Sequence, residues 1–285
     1  MPAEQPVPGA PGLARGELSP RDAAELQALK RLIEARSGLR CDGYKERVLR
    51  RRLAVRMRAC DVERYAAYGA LLDDDPGELN RLLDAVTINV SKFFRNTEVW
   101  NVVRSTVVPA LAMLDVPVVR VWSAGSAAGE EAFSIAMLLR EHAEHHGTDL
   151  HRFEILATDI DANAIELARK GETTEFALSE TPRAQRERWF EGPHLRQLRP
   201  EILRMVRFER LDLLRDPYPA DQHLIFCRNV IIYFERPVQE DVFRRLHGAL
   251  APGGWLLLGK VEAIFGTTLR LFRTVASRER LFQKP

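Results

Sequence analysis

The chain has little of what would tie it together covalently or hold it in a bilayer. Only three cysteines, Cys41, Cys60 and Cys227, occur in 285 residues. Their odd number excludes a closed disulfide framework, and their positions lack the spacing of a metal site. A reducing, cytoplasmic setting is the expectation. No apolar run approaches a membrane span, so no membrane insertion is expected. Neither sign of charge prevails: 42 Lys and Arg against 40 Asp and Glu leave +2, which gives no global argument for a nucleic-acid partner. The first residues lack the apolar stretch of a signal peptide and hold Pro2, Pro6, Pro8, Pro11 and Pro20 instead. Residues 1–18 are expected to be a disordered tail. What is present, 46% hydrophobic and 29% charged residues, suits a globular chain of one large or two ordinary domains.

The most informative stretch is VVRVWSAGSAAGEE, residues 118–131. Val118, Val119, Val121 and Trp122 suit a strand buried on both faces. A run of small residues from Ala124 to Gly129 follows, and Glu130-Glu131 opens a helix. The free backbone N–H groups at such a helix start can bind an anionic or polar group. Gly125 and Gly129 would let the backbone approach a ligand with no Cβ in the way. The same pattern also describes a plain tight turn in an α/β domain.

Before this stretch the pattern is helical. Ser19-Pro20-Arg21-Asp22 reads as a helix start with Ser19 as N-cap, and Leu26, Leu29 and Ile33 follow at helical spacing. A second helix is predicted from Tyr44 to about Ala59, with Leu49, Leu53 and Met57 on one stripe. Lys45, Arg47, Arg50, Arg51, Arg52, Arg56 and Arg58 crowd the remainder. That face is either solvated and paired with acidic loops, or it docks an acidic partner. A third helix (Val62–Leu72, capped by Asp61) and a fourth after Asp73-Asp74-Asp75-Pro76-Gly77 complete a small helical bundle over residues 19–88. The linker 89–100 carries Asn89, Ser91 and Arg95, polar residues alternating with apolar ones. They serve packing or reach a neighbouring pocket.

After the opening strand, the helix from Glu130 is apolar nearly all round and thus buried. His142 and His146 near its end are four apart and could form a metal face, but histidines in a last turn favour the helix dipole and need no metal. Phe153–Asp159 reads as a second strand ending in an acid, the arrangement that grips ribose hydroxyls in dinucleotide-type folds. Asp161 fits as the cap of the next helix. Residues 171–208 are charged and irregular. Val206–Asp212 and His223–Phe234 read as further strands, the latter apolar until Arg228-Asn229, and polar residues at such strand ends face a ligand crevice. Val238–Leu250 is a predicted helix, Trp255–Gly259 a strand, and Leu271–Lys284 a final hairpin. Strands alternating with helices imply an α/β, mostly parallel, doubly wound sheet.

Taken together, RRLAVRMR, INVSKFFR, VWSAGSAAGEE, ATDID, RFERLDLL, IFCRNVIIYF and APGGWLLLG resemble the CheR family in order. These are the S-adenosylmethionine-dependent protein-glutamate O-methyltransferases of bacterial chemoreceptors. The resemblance covers roughly residues 24–265. It implies a helical N-terminal domain and a Rossmann-like class I methyltransferase domain (residues 101–285) with a small β-subdomain inserted within about 171–208. It implies cofactor contacts at Asn89, Ser91, Arg95, Glu130, Asp159, Asp212, Leu213, Arg228 and Asn229, and an arginine-rich helix (Arg47, Arg50, Arg51, Arg58) facing the receptor's acidic helical bundle. Arg95 and Tyr233 are the candidates for placing substrate or cofactor in catalysis. Where the family has Cys-Ser-Thr this chain has Ser126-Ala127-Ala128; Asp212 replaces an Asn, and Lys260-Val261-Glu262 replaces His-Ser-Glu.

The implied reaction needs no metal and no general base, because a glutamate of pKa near 4.3 is already ionised at neutral pH. A monomeric, cytoplasmic enzyme methylating receptor glutamates is therefore expected. The alternatives are a catalytically weak regulator that binds S-adenosylmethionine (SAM) or S-adenosylhomocysteine (SAH), and a nucleic-acid-binding module using the Arg helix, whose sign would be strong salt dependence. Ser126 lies one place off a Gly-x-Ser-x-Gly nucleophile elbow, so hydrolase chemistry is set aside.

Overall fold

The computed structural model describes residues 17–87 and 89–285. Most of the expected tail, 1–18, lies outside the described residues. The chain divides into two compact units, the first comprising residues up to 88 together with Tyr233–Glu235, the second Asn89–Ile232 and Arg236–Pro285.

The first unit is all-helical: α1 (Pro20–Ser37), α2 (Glu46–Ala59), α3 (Tyr65–Asp74) and α4 (Pro76–Thr87). Ser19 caps α1, its hydroxyl accepting from the Asp22 N–H at 3.1 Å and donating to the Asp22 carboxylate at 2.7 Å. Leu26, Leu29 and Ile33 of α1 and Leu49, Leu53 and Met57 of α2 are all buried, as their spacing predicts. The third helix starts later than expected. Asp61 sits in the left-handed region (φ 55°) and ends a turn, and Arg64 is the residue before α3. An acid at positive φ belongs to the preceding turn and cannot cap a helix that begins four residues on. Phe234 joins this unit by a bridge to Tyr44 and an edge-on ring contact at 5.2 Å, and the Tyr233 carbonyl accepts from the Lys45 N–H at 2.8 Å.

The second unit is α/β. After α5 (Thr97–Val102) and α6 (Val108–Ala112) come β1 (Val119–Ala124), α7 (Glu130–His146), β2 (Phe153–Asp159), α8 (Ala162–Lys170), α9 (Arg183–Trp189), β3 (Phe190–Glu191), β4 (Gln197–Leu198), α10 (Pro200–Leu203), β5 (Val206–Arg210), β6 (Gln222–Cys227), α11 (Arg236–Ala249), β7 (Leu250–Leu258), β8 (Arg273–Ala276) and β9 (Leu281–Gln283). The main sheet runs β5-β2-β1-β6-β7-β9-β8. The first five strands are parallel, and the terminal hairpin adds two antiparallel ones. From β1 the chain winds one way through β2 and β5, then returns to place β6 and β7 on the other side. Such a switch point leaves a crevice at the carboxyl ends of the two strands that flank it, here β1 and β6. Helix α7 is buried along most of its length and packs with Phe93 and Phe208: the Phe133 ring lies 6.4 Å from the first and 5.4 Å from the second.

One expectation is corrected here. The fourth strand of the parallel set stops at Cys227 rather than running on to Phe234, because Asn229 turns at φ 62° and a short 3-10 turn covers Ile231–Tyr233. The inserted segment carries a small sheet of its own, β3 paired antiparallel with β4 and extended by a bridge from Glu172 to Gln197. Among the described residues between Gly171 and Met205, the only named strands are β3 and β4, two residues each. Pro182, Pro193 and Pro200, each placed to start a short helix, leave little backbone free for a ladder. The insertion also ends before Val206, which belongs to the main sheet.

Candidate cofactor site

The carboxyl ends of β1, β2 and β6 bring most of the predicted residues into one hydrogen-bonded neighbourhood. Beyond β1 the chain turns through Gly125 (φ 73°) and Gly129 (φ 87°) before α7. The glycines serve the protein's own packing as well as its turns. A Cβ on Gly125 would strike Val230, and one on Gly129 would meet Phe208 and Phe133 at 2.8 and 2.9 Å. Close packing against these side chains is thus a second demand for glycine at both positions, beside the backbone access expected for a ligand. Between them the Ala127 N–H donates to Asp159 Oδ2 at 2.8 Å, and Asp159 Oδ1 accepts from the Asp161 N–H at 3.0 Å. The acid ending β2 thus ties the small-residue turn to the end of its own strand. Burial, aided by the Asp161 charge, pushes its pKa up. Asp161 caps α8 as expected, accepting from the Asn163 and Ala164 N–H groups, and it also accepts from the Asn89 side chain.

Glu130 at the head of α7 is buried, and burial with the neighbouring Glu131 charge raises its carboxyl to about 7 despite a hydrogen bond from Ser91. Its Oε2 has no hydrogen-bond partner among the described residues. Glu131 behaves differently: it accepts from the Ser123 hydroxyl at 2.8 Å and pairs with Arg228 at 3.4 Å. Arg228 also donates to the Arg95 carbonyl at 3.1 Å and to Asn96 Oδ1 at 3.0 Å, leaving its buried Nε without a partner. The buried Ser126 hydroxyl likewise has none. So the crevice edge holds an acceptor without a donor at Glu130, a donor without an acceptor at Arg228, and a hydroxyl that can be either. Unsatisfied buried groups of both kinds are costly unless a ligand completes them.

The linker is held by its aromatics and aimed by its polar residues. Phe93 and Phe94 are buried, and the Phe94 N–H donates to the Ser134 hydroxyl at 3.0 Å. Ser91 then reaches Glu130 and Asn89 reaches Asp161, while Arg95 donates to the Val90 carbonyl at 3.4 Å. Beyond β5, Leu213 is buried and Asp212 uses one carboxylate oxygen within its own turn, accepting from the Leu214 N–H at 2.8 Å. Tyr233 lies on the three-residue segment that groups with the helical unit.

A model described as the CheR methyltransferase SAM-binding domain matches residues 89–281, and one described as the CheR methyltransferase all-alpha domain matches residues 24–87. The chain belongs to the CheR methyltransferase family. Its relatives include the chemotaxis protein methyltransferase of Escherichia coli (strain K12), 33% identical over 248 residues that cover 84% of each chain. That of Listeria innocua is 33% identical over 238 residues, 82% of this chain and 88% of the other. A stretch of 245 residues is also 35% identical to an uncharacterized 104.1 kDa protein of Rhodobacter capsulatus, of which this chain spans 25%. The α/β unit is accordingly a SAM-binding methyltransferase domain of the CheR kind, and the first unit is the CheR all-alpha domain.

On that all-alpha domain the arginine-rich helix is sorted by its own geometry. Arg47, Arg51 and Arg58 of α2 are exposed and share a stripe with exposed Val55. Arg50 is the exception to the expected docking set. It lies next to buried Leu49 and Leu53, is itself buried, and pairs with Glu46 at 3.8 Å and with the Tyr65 hydroxyl. Arg56 also turns inward, gripping Glu78 with bonds of 3.0 and 2.6 Å. A helix with six arginines turns inward the ones whose positions flank its apolar stripe.

Two buried glutamates that bond the predicted residues Arg228 and Asn229 were not singled out as site residues from the sequence. Glu131 was visible only as half of an acidic pair. Glu262 accepts from the N–H groups of Asn229, Val230, Ile231 and Gly259 at 2.6–2.9 Å. Its sequence signals were an acid soon after a buried apolar strand and a glycine, and its place as the Glu kept where the family has His-Ser-Glu. Among the described residues no group of three or more His, Cys, Asp or Glu is arranged to hold a metal ion, and no helix is long and apolar enough to cross a membrane. The His142 and His146 rings are 4.4 Å apart.

Proposed function

We propose that this CheR methyltransferase transfers the methyl group of SAM to glutamate side chains on the cytoplasmic helical region of a chemoreceptor. The observation that carries the cofactor half of this reading is the unpartnered, buried Glu130 Oε2 at the switch point. A buried carboxylate with no cation beside it suits the ammonium of a methionine tail. Arg228 Nε and the Ser126 hydroxyl supply complementary partners for the carboxylate of that tail. Asp159, the carboxylate that ends β2, suits a ribose diol. Asn89, Ser91, Leu213 and Asn229 are assigned to the remaining cofactor contacts.

Bound there, SAM supplies an electrophilic methyl on a sulfonium sulfur. The chain's own work is to place an acceptor carboxylate in line with it and to keep water out. That carboxylate is already ionised at pH 7, so no side chain needs to remove a proton. Opposite charges meet and cancel in the transition state, so most of the acceleration comes from proximity and from a dry site. Arg95 and Tyr233 are assigned to orienting the acceptor; a guanidinium that gripped it too tightly would stabilise the ground state instead. The exposed arginines of α2, Arg47, Arg51 and Arg58, present positive charge to an acidic receptor bundle.

The test is transfer of labelled methyl from SAM to membranes carrying a chemoreceptor. A label released as volatile methanol by mild base identifies a carboxyl methyl ester. Label that is stable to base, or label unchanged in amount on a receptor whose acceptor glutamates are changed to Ala, overturns the reading.

A further inference from the structure

The loop that follows β6 carries two of the proposed cofactor residues, Arg228 and Asn229, and it has no regular secondary structure to hold it until Ile231. Its backbone amides are instead taken up by one side chain from another part of the sheet. Glu262 Oε2 accepts from the Asn229 N–H at 2.9 Å and the Gly259 N–H at 2.6 Å. Its Oε1 accepts from the Val230 N–H at 2.9 Å and the Ile231 N–H at 2.8 Å. Glu262 is 2% exposed, so these bonds are shielded from water.

Each neighbour of this carboxylate faces a constraint that only this arrangement meets. Asn229 is left-handed, at φ 62°, a conformation a non-glycine residue keeps only when its surroundings hold it there. Val230 fills the space that the missing Cβ of Gly125 leaves, so the loop is seated against the small-residue turn. Gly259 has no room for a side chain, since a Cβ there would lie 2.8 Å from both the Asn229 nitrogen and Glu262 Oε2. The carboxylate itself touches neither Glu130 nor Arg228 in any hydrogen bond. Its whole hydrogen-bonding capacity goes into the main chain.

We propose that Glu262 is a positioning residue for the cofactor, acting through the backbone of Asn229–Ile231 to fix where Arg228 and Asn229 meet the methionine tail and the adenosine. The assignment rests on the SAM-site reading above. Its chemistry is that of an anion in a nest of amides: a carboxylate can accept four bonds, and a carboxamide of the same size cannot, because its NH2 would point at two amide hydrogens.

The experiment is calorimetric titration of the full chain with SAM and SAH, for the wild type, Glu262→Gln and Gly259→Ala. The second variant leaves the charge in place and displaces the loop by crowding. Loss of charge-assisted bonds to two amides should weaken binding by about tenfold or more in Glu262→Gln, at a stoichiometry still near one. Gly259→Ala should weaken it in the same direction. Local hydrogen exchange at residues 229–231 should quicken in both. A lesion that merely unfolds part of the protein lowers the stoichiometry and leaves the affinity of the remaining sites alone; that result, or affinities within twofold of wild type in both variants, overturns the proposal. If Glu262→Gln does not fold, Gly259→Ala decides by the same readouts. If the wild type binds neither ligand at millimolar concentration, the SAM-site reading itself falls, and this assignment with it.

Discussion

Two buried glutamates, one in each unit, sit in opposite electrical surroundings. Glu78 in the helical unit is fully buried and receives bonds from Arg56 at 3.0 and 2.6 Å, Arg81 at 2.9 Å and the Tyr68 hydroxyl at 2.6 Å. Burial alone would raise its pKa, but these donors outweigh it and hold the carboxyl at about 2. Glu130 in the α/β unit is almost as buried, receives a bond from Ser91, keeps one oxygen unpartnered and is raised to about 7. The first carboxylate is completed by its own fold. The second is left incomplete, and burial without a cation is what a fold tolerates where a ligand will arrive. The difference separates an acid completed by its fold from one left open for the proposed ligand, without reference to any relative.

The largest test of this contrast is Glu78→Ala. It leaves Arg56 and Arg81 without their shared anion and should cost about 3 kcal/mol in thermal or denaturant unfolding. A loss below about 1 kcal/mol would break the comparison, since Glu78 would then be no better satisfied than Glu130. The sign with pH follows: the stabilisation from Glu78 is full above the unfolded value of 4.5 and is lost as pH falls through about 2.

Glu130→Gln should act in the reverse sense. In the absence of ligand, a carboxyl raised from 4.5 to about 7 costs nothing below pH 4.5, and its penalty grows through that interval and is complete above pH 7. The variant should therefore be more stable than wild type by about 2 kcal/mol at pH 8 and equal to it at pH 4.5. It should also bind SAM more weakly. Equal stability at both pH values would show that Glu130 is not held as an uncompensated charge.

Wild-type affinity supplies a smaller and sharper effect. A ligand ammonium needs Glu130 ionised, so SAM should bind about tenfold more weakly at pH 6 than at pH 8. Calorimetry at those two values, or proton release measured across buffers of different ionisation enthalpy, decides it; a flat profile removes Glu130 from the ammonium.

The smallest effect contrasts outward with inward arginines on α2. Arg51→Glu should reduce receptor methylation about fivefold at low salt, less at high salt, with stability and SAM binding unchanged. Arg56→Glu should instead unfold the helical unit at a lower temperature. Methylation lost equally in both, with matching losses of stability, would dissolve the distinction.

Much of this was legible in the residues. The apolar stripes of α1 and α2 follow from helical spacing, and Ser19 and Asp161 cap where short polar side chains precede such stripes. The strand–small-residue turn–helix unit around Gly125 and the acid ending β2 were readable because buried parallel strands are nearly continuous apolar runs. Arg50 and Arg51 are adjacent and alike in the sequence, yet one is buried and the other exposed, since a 100° rotation separates them on a helix. The end of β6 was misplaced because Val230 and Ile231 are as apolar as strand residues, and only the left-handed turn at Asn229 stops the ladder.

The sequence by itself determined a helical unit before a parallel α/β unit, and it located the turn and the strand ends where a cofactor belongs, because periodicity and turn chemistry are local properties. Only the tertiary structure decided which buried charges are satisfied. Glu78, Glu130, Glu131 and Glu262 are the same residue type, and what separates them is which donors other segments bring within 3 Å or so, a long-range property that no local pattern encodes.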